Sequence, residues 1–134
     1  MISLVYSLAA PLLLLPIEKL LPYPYLIEEL VKYILVSLIV RDKSITKQHT
    51  WLYVLFAGLL FTFTESFLYI FNIMALGRYG DFPARIVFTG ILHAGTMLLM
   101  FWGIRRGKFT TAITFLVAVA MHFFFNFIVS SYFF

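Results

Sequence analysis

A helix that crosses the hydrocarbon core of a bilayer needs about 20 predominantly apolar residues. The chain strings together about five stretches of that kind, parted by short polar connectors. Apolar residues make up 63% of the sequence and charged ones 12%, against about 25% charged in an ordinary soluble domain. No water-facing surface can be assembled from so few polar side chains. The expected fold is all-α, a polytopic membrane helical bundle of about five transmembrane helices, forming one membrane-embedded domain over residues 1–134. The sequence has no cysteine, which removes disulfides, thiolate metal sites and cysteine nucleophiles together. The ten Lys and Arg residues are scattered among connectors. They read as topology signals for a bilayer, and no nucleic-acid partner is expected.

The first segment runs from Ile2 to about Leu15 and meets Pro16, Glu18, Lys19, Pro22 and Pro24. Prolines at its end leave a tilted continuation, a kink and re-entry all open. No Lys or Arg precedes the run, so it is read as a retained helix rather than a signal peptide. Further segments are expected from about Tyr25 to Val40, Trp51 to Leu76, Ala84 to Gly103, and Phe109 to the C-terminus. Arg41, Lys43 and Lys47 follow the second, and Arg105, Arg106 and Lys108 follow the fourth; Arg78, Asp81 and Arg85 lie in or beside the opposite loop. Basic loops stay on the cytoplasmic side. The expectation is a multi-pass protein of a prokaryotic cell membrane, N-terminus cytoplasmic and C-terminus outside.

An ionisable side chain at the centre of a membrane helix costs roughly 2.5 to 3.5 kcal/mol on insertion scales, so each needs a partner or a purpose. Glu28, Glu29, Lys32, Glu65, His93 and His122 fall on four different segments, which suggests a shared central polar cavity. Lys32 stands at i+4 from Glu28 and i+3 from Glu29 and can reach either carboxylate. One Glu then faces the cavity as a general base while its neighbour is held by Lys32. A charge cluster at a helix end is the plainer account of the same residues. Glu65 shares a stripe with Thr62, Tyr69 and Asn72. His93 has Thr89 and Thr96 on its face, with Gly90 and Ala94 as a small-residue pair. His122 pairs with Asn126, and Thr114, Ala118 and Ser130 extend that stripe. A protonated Glu locking helices, or a His satisfied by an interhelical hydrogen bond, are the plainer accounts here.

Helix rise puts Glu65 about 21 Å and His122 about 20 Å from the inner ends of their segments, and His93 about 14 Å below the outer end. These depths agree to within a few ångströms, and Glu28 enters near the same outer half, so one site is geometrically open to all four. Two imidazoles and a carboxylate on separate helices suit a three-ligand zinc set, with a fourth position for water. No H-E-x-x-H, G-x-S-x-G or intramembrane aspartate pair competes.

Taken in order, Glu28-Glu29-Leu30-Val31-Lys32, Phe61 to Glu65, the segment holding His93, and His122 to Asn126 resemble the EExxK, FxxxE, His-helix and HxxxD/N motifs of the PrsW group of intramembrane proteases. That group is distantly related to the CAAX prenyl endopeptidases. The motif-bearing core covers about residues 25–134. The resemblance implies that Glu28 and Glu29 activate water, that Glu65, His93 and His122 bind a divalent metal or orient that water, and that Asn126 stabilises an oxyanion. Asn126 stands where many members carry Asp, and an amide offers hydrogen bonds without an acid.

The expected function is an intramembrane endopeptidase, glutamate- and histidine-based with a metal such as zinc, that cleaves membrane-anchored protein substrates near the outer leaflet. A non-catalytic scaffold of the same superfamily, binding partner helices, is the rival. An ion-coupled carrier is a third class, though the internal repeat common in carriers is missing. For topology, single Cys substitutions labelled with an impermeant maleimide in intact cells are expected to react near Asp81 and stay dark near Lys43. The reverse pattern would overturn the orientation.

Overall fold

The computed structural model describes residues 2–18, 20–75 and 80–133. Arg78 lies outside them, as do the side chains of Asn72, Asp81 and Ser130. Five helices form among the described residues: α1 (Ile2–Glu18), α2 (Pro24–Arg41), α3 (Thr50–Ala75), α4 (Asp81–Arg106) and α5 (Lys108–Phe133). The all-α expectation holds. α3, α4 and α5 each have 26 residues, about 39 Å of helix, and by length and composition each can cross a membrane. α1 is apolar but short, over Ile2–Ile17. α2 has 18 residues and carries Glu28, Glu29, Lys32 and Arg41.

Several ends differ from the sequence reading for local reasons. α1 continues as a helix through Pro11 and Pro16 to Glu18. Proline removes one donor and crowds the preceding turn, which an apolar helix packed on neighbours tolerates. α4 begins at Asp81, ahead of Pro83, because first-turn amides have no intrahelical partner for proline to take away. It ends at Gly107, whose φ of 124° admits little but glycine, and whose N–H donates to the Gly103 carbonyl at 3.2 Å. That one residue separates α4 from α5. Between α2 and α3, Asp42 accepts hydrogen bonds from the Ser44 N–H at 2.9 Å and hydroxyl at 2.7 Å. These bonds hold its carboxyl below the usual range.

α1, α3, α4 and α5 pack side by side in that order, and α2 lies against the row, touching all four. The bundle divides along its length. The second half of α2 (Leu35, Val36, Ile39) packs on Val54, Ala57 and Phe61 of α3, Met97 of α4, and Ala10 and Leu14 of α1 in one apolar core. The first half of α2 places Glu28, Glu29 and Lys32 inside, all buried. Phe63, Ile91 and Phe127 point outward at 64%, 68% and 61% exposure, whereas Lys32 and Glu29 are at 0%. Apolar outside and ionisable inside is the arrangement of a protein solvated by lipid.

Close approach of α3 to α4 depends on Gly58. A Cβ built there would stand 2.7 Å from the Ala94 Cα and 3.2 Å from the His93 carbonyl carbon, so the small residue facing Ala94 comes from the neighbouring helix. Of the small pair on α4, Ala94 is thus where the neighbouring backbone approaches, while a Cβ at Gly90 would meet only a Thr62 methyl at 3.7 Å. Gly58→Ala is expected to cost about 1–3 kcal/mol through overpacking against backbone. Gly95→Ala, with nothing within 4 Å of its added carbon, is expected to be neutral or to gain up to about 1 kcal/mol of helix propensity. Thermal unfolding of both variants in detergent checks this contrast; equal melting temperatures would contradict the Gly58 contact.

A buried glutamate–histidine cluster as candidate active site

Four helices bring their ionisable residues to one place. The N-terminal turns of α2 are set by Pro24, which opens the helix after Tyr23. One turn further on, Glu28, Glu29 and Lys32 share the face that meets α3, α4 and α5. The Lys32 ammonium is fully buried, and it donates to Glu29 Oε1 at 2.6 Å and to His93 Nδ1 at 2.6 Å. Its distance to Glu28 Oε2 is 4.0 Å, so the lysine favours the second glutamate of the pair. Phe61, the first residue of its motif, lies beneath: its ring centroid is 5.0 Å from Lys32 Nζ and 5.2 Å from the His93 ring. An aromatic face there gives the ammonium a favourable neighbour without a further charge.

His93 is 1% exposed and uses both ring nitrogens. With Nδ1 accepting from Lys32, the ring proton sits on Nε2 and is donated to Glu65 Oε2. Glu65 is held from the other side by Arg85, whose Nη2 donates to Oε1 at 3.3 Å. The Arg85 guanidinium lies 3.9 Å from the Tyr69 ring centroid. As a charge beside a loop, Arg85 reads in the sequence as a topology signal. Its signal was its spacing, since Arg85, Thr89 and His93 recur every four residues on one face of α4.

His122, 3% exposed, completes the cluster from α5. Its Nδ1 donates to Glu29 Oε1 at 2.7 Å, and its Nε2 lies 3.6 Å from Glu28 Oε2. The His93 and His122 rings are 5.6 Å apart, and Tyr25 stands over His122 at 6.3 Å. Thr114 and Ala118 continue the buried stripe of α5 as spaced, but Asn126 is exposed. α5 packs only on α4 and α2, and α2 starts at Pro24.

Cation-binding atoms of Glu28, Glu65 and His93 all lie within 4.8 Å of one another. The resemblance implies Glu65, His93 and His122 as ligands; the donors that lie within reach of one another among the described residues are Glu28, Glu65 and His93, while His122 is turned to Glu29. The donors fit a divalent cation, two carboxylates and an imidazole being suitable ligands. Charge agrees, since Glu28, Glu29 and Glu65 outnumber Lys32 and Arg85 by one. At His93 Nε2 a cation and the ring proton compete for the same lone pair.

The model of the PrsW family of intramembrane metalloproteases matches residues 24–134. The chain belongs to that family. The PrsW match begins at the first residue of α2 and takes in every helix that contributes to the cluster, leaving out α1. Neither the curated proteins nor the solved structures gave a match.

Elemental analysis of the purified protein tests the ligand set. Glu28→Ala, Glu65→Ala and His93→Ala are each expected to lose bound metal, with His122→Ala keeping most of it. Loss in His122→Ala with retention in Glu28→Ala would favour the set implied by the resemblance.

Proposed function

We propose that this PrsW-family protein is an intramembrane endopeptidase that hydrolyses a peptide bond of a membrane-anchored protein substrate. The observation that carries this reading is the meeting of Glu28, Glu65 and His93 beside the Glu29–His122 pair, buried within a lipid-facing bundle. Glu28, Glu65 and His93 would hold a divalent cation, zinc by donor type. A bound zinc ion supplies Lewis acidity and lowers the pKa of water.

The chain's own residues divide the remaining work. Glu28, a member of the cation-binding group whose Oε2 lies 3.6 Å from His122 Nε2, accepts the proton of the attacking water. Glu29 orients His122 through Nδ1, which leaves Nε2 turned to Glu28 to carry that proton to the leaving amine. Lys32 keeps Glu29 charged and in place. Arg85 does the same for Glu65 from the side of the α3–α4 connection. Asn126, exposed one turn beyond His122, offers its amide to the oxyanion that develops on the substrate carbonyl. On the topology expected from loop charges, this site opens toward the outer leaflet.

Cleavage of a panel of single-span substrates in proteoliposomes tests the reading. Glu28→Gln is expected to lower turnover by about 100-fold or more with little change in melting temperature, because the amide keeps volume and hydrogen bonding but is no base. Glu29→Gln is expected to fail as severely, through His122. Normal turnover in both variants would remove the protease reading and leave the scaffold.

A further inference from the structure

We propose that the opposite, basic end of the bundle carries a separate site for the phosphate of an anionic phospholipid headgroup. The site is a cavity of about 220 Å³ between the end of α2, the connection into α3 and the end of α4, lined by Val40, Lys47, Thr50, Phe101 and Arg105. Its size is several times the roughly 30 Å³ of one water molecule, enough for a phosphate with part of its ester.

Two cations converge on this space. Among the described residues, neither Lys47 nor Arg105 is paired with a carboxylate. The Arg105 guanidinium lies 5.6 Å from the Phe101 ring centroid; stacking of this kind orders the planar fork while its N–H donors stay free for an anion. α3 begins at Thr50, so the positive end of a 26-residue helix adds to the same field. Thr50 itself donates its hydroxyl to the Thr46 carbonyl at 3.2 Å. Recognition of the anion therefore falls to the two basic side chains and the helix end.

Apolar walls and flanking aromatics favour a lipid over a soluble anion. Val40 and Phe101, packed against the apolar core, give the cavity its apolar walls. Trp51 and Trp102, 46% and 49% exposed, stand at the start of α3 and near the end of α4. Tryptophan collects at the headgroup level of a bilayer, which puts Lys47 and Arg105 at the depth of phosphates. Basic pockets between membrane helices bind anionic headgroups on this principle.

The test is native mass spectrometry of the full chain in detergent, titrated with phosphatidylglycerol. Wild type is expected to retain about one lipid per chain. Lys47→Gln and Arg105→Gln are each expected to lower its affinity about ten-fold, the scale of one charge-assisted hydrogen bond, and Lys47→Arg to keep it. Lys43→Gln and Lys108→Gln, which remove the same charge from the same end without lining the cavity, are expected to change it less than about two-fold. Equal losses in all four Gln variants would reduce the effect to diffuse attraction and overturn the site. Displacement of the lipid by millimolar inorganic phosphate would assign the cavity to a soluble anion and overturn the lipid assignment; retention supports it. Phosphatidylcholine binding as tightly as phosphatidylglycerol would likewise overturn the anionic requirement. None of these variants touches the glutamate–histidine cluster, so lipid binding and proteolysis succeed or fail independently.

Discussion

A lysine ammonium buried completely inside a membrane protein must be surrounded by groups that compensate it, and the upper half of this bundle is arranged around that requirement. Lys32 reaches Glu29 on its own helix and His93 on α4 with two 2.6 Å hydrogen bonds. Glu29 in turn takes His122 from α5, and His93 takes Glu65 from α3. Removing one partner from such a network leaves a buried charge uncompensated, at a cost of about 3–5 kcal/mol. The same contacts that join four helices also fix the orientation of Glu29, Glu65, His93 and His122. Structural and chemical roles are thus not separable at Lys32.

The division of the bundle into an apolar and a polar half explains how such a cluster is accommodated. Leu35, Val36 and Ile39 on α2, with Val54, Ala57 and Met97, form a close-packed core that needs no polar partner. Phe61 closes that core and at the same time forms the floor of the cluster. α2 touches all four other helices, so its short length and its charges, unfavourable against lipid, are sheltered by the row behind it. Gly58 lets α3 and α4 approach closely beside His93, which helps bring Glu65 and His93 together.

Much of this was legible in the sequence because period and composition carry it. Five apolar stretches, the i+3 and i+4 placement of Lys32, and ionisable residues on four segments all follow from spacing along a helix. The choices that spacing left open were made by partners distant in sequence. Lys32 has two glutamates within reach, and His93, 61 residues away, draws it to the side of Glu29. His122 was legible as a cluster member but not as the partner of Glu29, 93 residues distant. Asn126 shares the helical face of His122, yet it is exposed, and where a helical face stops being covered depends on neighbouring helices rather than on α5. Arg85 read as a loop charge, and only the folded position of Glu65 and Tyr69 shows what it holds.

The central claim is that Glu28, Glu65 and His93 form one cation-binding group on which the proposed hydrolysis depends, with His122 beside it. Anomalous diffraction from crystals of the zinc-loaded protein, collected on both sides of the zinc absorption edge, tests it most directly. The account predicts a single edge-dependent peak within about 2.0–2.2 Å of donor atoms of Glu28, Glu65 and His93, with His122 still bound to Glu29. A peak coordinated by His122 in place of Glu28, or zinc found only at surface residues, would contradict it.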